Sequence, residues 1–269
     1  MDRRIGVIGG GNMGSALVAG LVNRDICTSA DILVCEIVAE RREQLRERYR
    51  VVVTDQIEEV PRFAQTLILA VKPMHLQEVG SRLRPLLRDH HLVVSILAGQ
   101  TRQKLEGVLG RAAGIVRVMP NLPAQVGAGV SAVTFGDDAG EDVRSWVREI
   151  LSAVGEVVEV EEDLQDAVTA VSGSGPGFLF YLAAQMIAGA ETVGLPRDVA
   201  RSLVIQTMLG TAKVLVESSA DPADLVRKVA TPGGTTEAGL AVLANANLPD
   251  IIRETLVRAT ERSKELGRS

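Results

Sequence analysis

The stretch Arg4-Ile5-Gly6-Val7-Ile8-Gly9-Gly10-Gly11-Asn12-Met13-Gly14 decides the fold. Arg4–Ile8 is apolar and β-branched, as a strand requires. Gly9, Gly11 and Gly14 then fit the spacing G-x-G-x-x-G, and an apolar helix follows over Ala16–Val22. The spacing alone is a weak signal. A strand before it and a helix after it supply the context that a dinucleotide turn needs. Gly9 permits the tight turn, Gly11 lets backbone approach a pyrophosphate, and Gly14 lets the helix pack on the strand. Asn12 and Met13 complete the turn, and the helix start that follows stabilises phosphate charge. The competing reading is a glycine-rich turn that holds no ligand. Glu36 lies 22 residues past Gly14, at the end of the second strand. An acid there binds the adenosine ribose hydroxyls, which favours NAD. Arg41 and Arg42 follow closely and could meet the 2′-phosphate of NADP. Alternatively, all three belong to a solvated charged helix.

Outward from this turn, β-rich runs alternate with helical stretches. Further strands are expected at Ile32–Cys35, Val51–Val53, Leu67–Val71, Leu92–Ile96 and Ile115–Val118, with helices such as Ala39–Arg48 and Leu76–Leu87 between them. This order predicts an α/β fold: a Rossmann-like, doubly wound, mainly parallel sheet with helices on both faces. Val130–Thr134 and Val157–Val160 read as the last strands, flanking a helix near Glu141–Val154. From Glu161 onward only helices are expected. Pro176 opens one and Gly194 closes it, Pro196 starts the next, Asp221-Pro222 begins another, and Asn247-Leu248-Pro249 separates the last two. The chain is therefore expected to divide into a dinucleotide-binding domain at 1–160 and an all-α substrate-binding and dimerisation domain at 161–269.

The 269 residues are 46% hydrophobic and 23% charged but only 3% aromatic, with 26 glycines, so the core must be aliphatic and closely packed. The net charge of −5 and the lack of a basic stripe argue against nucleic acid as a partner. Cys27 and Cys35 match neither a redox pair nor a zinc set, which fits a reducing cytoplasm, and no metal site is expected. The N-terminus does not read as a signal peptide. Ala167–Ala190 carries no charge, but Ser172–Gly177 interrupts it, and the steadily apolar part, Phe178–Ala190, is too short for a membrane span. A buried helix is expected there.

Four further segments carry chemistry: Ala70-Val71-Lys72-Pro73, Val118-Met119-Pro120-Asn121-Leu122-Pro123, Ser172-Gly173-Ser174-Gly175-Pro176, and Thr231-Pro232-Gly233-Gly234-Thr235-Thr236. The first two follow strands, where ligands of a doubly wound sheet bind. Together with the glycine turn, and in this order from Arg4 to about Leu266, they resemble the pyrroline-5-carboxylate reductase family. The resemblance implies reduction of 1-pyrroline-5-carboxylate to L-proline, the last step of proline biosynthesis, with NADPH or NADH. It implies cofactor contacts at Ala70, Val71, Lys72, Pro73, Asn121 and the position of Gln56. Substrate contacts are implied at Ser174, Thr231, Gly233, Gly234, Thr235 and Thr236. Thr236 would hydrogen-bond the ring nitrogen and serve as the catalytic residue. The sequence departs from the family pattern at Thr231 (commonly Ser), Gln56 (often Asn) and Gly177 (usually Ala).

The residues suit this chemistry. A protonated cyclic imine is already electrophilic, so the protein mainly orients two reactants, an effect worth ~7–11 kcal/mol. Glycines in Thr231–Thr236 let backbone N–H groups converge on a carboxylate at a helix start. A helix cap built on Thr235 or Thr236 is the structural alternative. His90 and His91 read as a solvated turn, and His75 lies on the expected cofactor side. Lys72 reads as cofactor-binding rather than as a general acid.

Two rival functions remain open. A dehydrogenase of the β-hydroxyacid type would need a helical Lys with Asn four residues on. Lys213 is followed at that distance by Glu217, with which it should pair. A non-catalytic dinucleotide-binding regulator of the same fold should have lost the glycines and threonines of Thr231–Thr236, which are intact. The apolar stretches Phe178–Ala190 and Leu203–Val216 exceed what one small helical domain buries. A homodimer through the helical domain is expected, with higher assembly as the resemblance implies.

Overall fold

The computed structural model describes residues 2–110 and 113–268. Strands β1 (Ile5–Ile8), β2 (Ile32–Cys35), β3 (Val52–Thr54), β4 (Thr66–Leu69), β5 (His91–Ser95), β6 (Ala113–Met119), β7 (Gly129–Thr134) and β8 (Gly155–Glu159) form one sheet in the order β3-β2-β1-β4-β5-β6-β7-β8. The first six run parallel. The order reverses direction between β1 and β4, which makes the crevice beyond their carboxyl ends the ligand site of such a sheet.

Pairing of β6 with β7 is antiparallel, and β8 then runs parallel to β7. The cause is connection length. Only residues 120–128 join β6 to β7, and their single short 3₁₀ turn, Leu122–Val126, cannot cross the sheet as a parallel return demands. Every residue of β1, β2, β4 and β5 is buried, whereas the edge strands β3 and β8 are half-exposed. Central strands covered on both faces need continuous aliphatic sequence, and they have it.

Helices α1 (Asn12–Asn23), α2 (Ala39–Tyr49), α3 (Val60–Phe63), α4 (Leu76–Leu83), α5 (Arg102–Leu109) and α6 (Glu141–Ser152) cover the two faces. Leu17, Val18 and Leu21 of α1, Leu45 of α2, and Trp146, Val147 and Ile150 of α6 share one core layer with Ile5 and Val7. Val60, Leu76, Leu83, Leu105 and Leu109 form the other layer with Ile8 and Leu67. Trp146 finds a partner for its indole N–H, which donates to Thr66 Oγ1 at 2.9 Å.

One sequence expectation changes here. His91 is not on a solvated turn: it opens β5 and is buried, while His90 stays exposed. The His91 Nδ1 accepts from the Arg88 backbone N–H at 2.9 Å, so Nε2 carries the proton and donates to the Pro61 carbonyl, also at 2.9 Å. His91→Leu would leave both backbone groups unpaired. The expected loss is roughly 3 kcal/mol, read from urea unfolding followed by Trp146 fluorescence. A loss within experimental error would mean that the two bonds contribute little. The cysteines behave as expected of buried thiols. Both are free, and burial pushes each up to about 11 from 9.0. Cys27 donates its S–H to the Arg3 carbonyl. Aromatic disulfide reagents at pH 8 should label neither thiol until the chain unfolds. Because unfolded thiols ionise first, the native state binds more protons between about pH 9 and 11, and stability should fall across that window.

The sequence pattern changes near residue 160, but the compact units divide elsewhere. One comprises 1–174 with 259–269, the other 175–258. The short helix α7 (Gln165–Val168) and the π-helical turn Thr169–Gly173 stay with the sheet. Gln165 Nε2 donates to Thr134 Oγ1, and Glu162 pairs with the buried Arg117 and accepts from the Arg102 N–H. The end of the strands is thus not the end of the unit.

The second unit holds α8 (Gly175–Thr192), α9 (Arg197–Glu217), α10 (Pro222–Val229), α11 (Thr235–Asn245) and the first half of α12 (Leu248–Arg268). The last turns of α12 belong to the first unit, where Ser263 donates to Asp166. Asp221 caps α10 by accepting from the Ala223 N–H at 2.8 Å. The helix expected to be buried, Phe178–Ala190, is exposed in the single chain: Phe180 at 60% and Tyr181 at 69%. A unit built from so few helices has no layer to cover that face. Residues 162–192 and 197–217 are long and apolar enough to cross a membrane by length and composition. Lys213 and Glu217 lie exposed on α9 without the expected ion pair.

Candidate active site

The carboxyl ends of β1, β2 and β4 meet at the glycine turn. The Gly9 N–H donates to the Cys35 carbonyl and the Ala70 N–H to the Ile8 carbonyl, both at 2.8 Å. Gly9 sits at φ +107°, a conformation costly for any residue with a side chain, and a Cβ there would meet the Ala70 carbonyl oxygen at 2.6 Å. Gly11 is the N-cap of α1 and has no side-chain cap, so the first N–H groups of the helix face outward. A Cβ on Gly11 would meet nothing within 4 Å. Ser15 fixes the turn from behind by donating its hydroxyl to the Gly10 carbonyl at 2.9 Å. Open space above a helix start is what a pyrophosphate needs, so the residues fit a dinucleotide. A cleft of about 620 Å³ opens here, lined by Gly10, Gly11, Asn12, Arg41, Arg48 and Gln125 among others.

Glu36 is buried beside this turn. One carboxylate oxygen accepts from the Gly10 N–H at 2.9 Å and the other from the Val38 N–H at 2.8 Å. Arg42 donates to the Glu36 and Ile37 carbonyls and pairs with Asp55. Gln56 is exposed, with its amide donating to Asp55. Ala70 and Val71 are half-buried at the end of β4, while Lys72, Pro73 and His75 stand exposed. Asn121 supports the backbone: its Oδ1 accepts from the Val130 N–H at 2.9 Å and closes the turn from β6 to β7.

Ser174 follows the π-helical turn in the first unit, with its backbone N–H donating to the Thr169 carbonyl. Gly173 allows Met119 to approach, since a Cβ there would lie 2.6 Å from its Cε. In the second unit, Thr231–Thr236 forms a tight loop opening α11. Gly233 has φ +72°, and the Gly234 N–H donates to the Thr231 carbonyl. The cap alternative for the threonines does not hold: the N-cap is Gly234, and no side chain caps this helix. Sequence reasoning missed Glu237. Its carboxylate accepts from the Gly233 N–H at 2.7 Å and so takes one donor that a ligand could have used. A signal for it exists, because an acid at the third helical position is half of a capping box. Arg48, Tyr49 and Gln125 in the cleft carry no comparable mark in the sequence.

The comparisons with known proteins agree along the whole chain. Residues 162–266 match the family model for pyrroline-5-carboxylate reductase dimerisation, and residues 4–99 match the model for coenzyme F420-dependent NADP oxidoreductases. The chain is 40% identical over its full length, and that of the relative, to a pyrroline-5-carboxylate reductase of Synechocystis. The chain belongs to the pyrroline-5-carboxylate reductase family. The solved reductase of Coxiella burnetii is 33% identical, with a TM-score of 0.93 and 99% of each chain covered. That of Plasmodium falciparum, solved with NADP bound, is 28% identical with a TM-score of 0.88 and 98% of each chain covered. As a family member the chain is an NAD(P)H-dependent oxidoreductase that homo-oligomerises through its helical half.

Proposed function

We propose that this protein reduces 1-pyrroline-5-carboxylate to L-proline with NAD(P)H, completing proline biosynthesis in the cytoplasm. The observation that carries this is an open phosphate turn and an uncapped glycine–threonine loop on one chain that aligns end to end with reductases of that name. When bound, the reduced nicotinamide supplies a hydride to the imine carbon. Gly11, Asn12 and Met13 would hold the pyrophosphate on the turn that Gly9 and Gly14 shape beneath it, Glu36 and Gln56 face the adenosine side, and Ala70 to Pro73 line the nicotinamide side. Asn121 acts indirectly, by holding the turn after β6. The N–H groups that begin α11 bind the substrate carboxylate, with Thr231 and Thr235 adding hydroxyls, Gly233 and Gly234 keeping the loop tight, and Ser174 contributing from its own turn. Thr236 hydrogen-bonds the ring nitrogen. None of these residues is asked for strong acid–base chemistry, in keeping with exposed or structurally occupied histidines.

Absorbance at 340 nm, with the imine and each reduced cofactor in parallel, tests this. Saturable oxidation is expected. Folded protein that oxidises neither cofactor would leave the dinucleotide-binding regulator as the better reading.

Assembly is a homodimer through α8 and α9, which buries the exposed aromatic face against a second copy rather than lipid. Higher assembly built from such dimers is what the family resemblance implies. Sedimentation at low micromolar concentration should give at least a dimer, and a stable monomer would contradict it.

A further inference from the structure

We infer that Glu36 makes this protein prefer NADH to NADPH; the inference rests on the NAD(P)H-dependent reading above and sharpens it. The two cofactors differ only at the adenosine ribose, where NADPH carries a phosphate of nearly two negative charges at neutral pH. The end of β2 meets that position in a doubly wound sheet. Here it presents a buried carboxylate held by two backbone N–H groups, one from Gly10 and one from Val38. Each oxygen keeps lone pairs for the ribose hydroxyls. Being held from two sides, the group cannot swing away to admit a phosphate. Gly10 tightens the constraint: a Cβ on it would lie 3.2 Å from Glu36 Cβ and 2.8 Å from Leu45 Cδ1, so the side chain is packed as well as bonded.

The surroundings offer a 2′-phosphate no compensation. Arg42 is the cation bound directly to this segment, and its guanidinium already serves the Glu36 and Ile37 carbonyls and Asp55. Asp55 adds a second carboxylate to the group. The residue after Glu36 is Ile37, 81% exposed, which offers an apolar surface where a phosphate would want a donor. Arg41 and Arg48 are exposed on α2 and line one cleft with Gly10, Gly11 and Asn12 of the phosphate turn, which both cofactors use.

The test is equilibrium binding to the full-length protein. NADH and NADPH are titrated by nicotinamide fluorescence, and ADP-ribose and 2′-phospho-ADP-ribose by calorimetry. NADH and ADP-ribose should bind roughly ten- to a hundredfold more tightly than their phosphorylated counterparts, the scale of one juxtaposed like-charge pair. Glu36→Gln should narrow the gap by about tenfold, and Arg41→Ala should weaken both cofactors alike. Equal or tighter binding of NADPH by the wild type overturns the inference, whether or not the Glu36 variant folds. So does a loss confined to NADPH in Arg41→Ala. Preferential NADH binding without turnover of the imine would leave this inference standing and sink the proposed reaction instead.

Discussion

Gly11→Ala should fold like the wild type and bind dinucleotide roughly a hundredfold more weakly, while Gly14→Ala should lose much of its stability. The two glycines are three residues apart in one turn, yet they are glycine for different reasons. Gly11 has φ −69° and ψ −170°, extended backbone that alanine adopts freely, and a Cβ there meets nothing within 4 Å. The cost to the fold is that of a poorer N-cap, under about 1 kcal/mol. The cost to binding is larger, because the methyl group occupies the space through which backbone reaches the pyrophosphate, and one misplaced carbon in a tight contact costs about 10–200-fold. Gly14 is the reverse. A Cβ there would lie 2.1 Å from the Gly9 carbonyl oxygen. That oxygen is backbone and cannot rotate away, and Gly9 is itself tied to Cys35 through its N–H. Either α1 lifts from β1 or the turn opens. Overpacking usually costs about 1–3 kcal/mol, and a clash with fixed backbone should cost about 3 or more, a large part of a typical stability of roughly 5–15 kcal/mol. Urea unfolding followed by Trp146 fluorescence separates the two effects from cofactor titration. Wild-type affinity in Gly11→Ala would remove the turn from the cofactor site.

The fold was legible wherever chain direction and local pattern agree. β1, β2, β4 and β5 are short aliphatic runs with helices between them, and central burial demands that composition. The antiparallel entry of β7 left a trace only in the shortness of residues 120–128. The end of the first unit was not legible at residue 160, because Gln165 and Glu162 are tied to the sheet by polar contacts across many residues of sequence. His91 misleads for a similar reason. Arg88-Asp89-His90 reads as solvated, and it is, but the Pro61 carbonyl that draws His91 inward lies 30 positions away.

The site was legible in its glycines and obscured in its polar side chains. Gly9 and Gly14 have one conformational or steric purpose each, so their spacing announces them. Asn121 and Glu237 can serve either ligand or backbone, and in the structure both serve backbone. Glu36 shows that these need not exclude each other, since its two backbone bonds are what would fix it for a ribose.

Thr236→Ala should lower kcat/KM by roughly 10²–10³, the effect of removing one hydrogen bond to a site of changing charge. Stability should hardly change. Thr236 is the second residue of α11 and does not cap it, and alanine is the better helix former there. Cofactor affinity should also be unchanged, because the glycine turn and Glu36 lie in the other compact unit. Thr236→Ser, which keeps the hydroxyl, should recover most of the activity, whereas Thr236→Val, which keeps the shape, should not. Thr235→Ala is the internal control. Thr235 is exposed and Thr236 half-buried, so the loss at 235 should be much smaller and fall on KM, as expected of a hydroxyl that helps only to hold the carboxylate. Steady-state kinetics with both cofactors reads all four variants. A Thr236→Ala enzyme within about twofold of wild type in kcat/KM would mean that protonation of the ring nitrogen needs no partner from this loop, and that orientation of the two reactants carries the rate by itself.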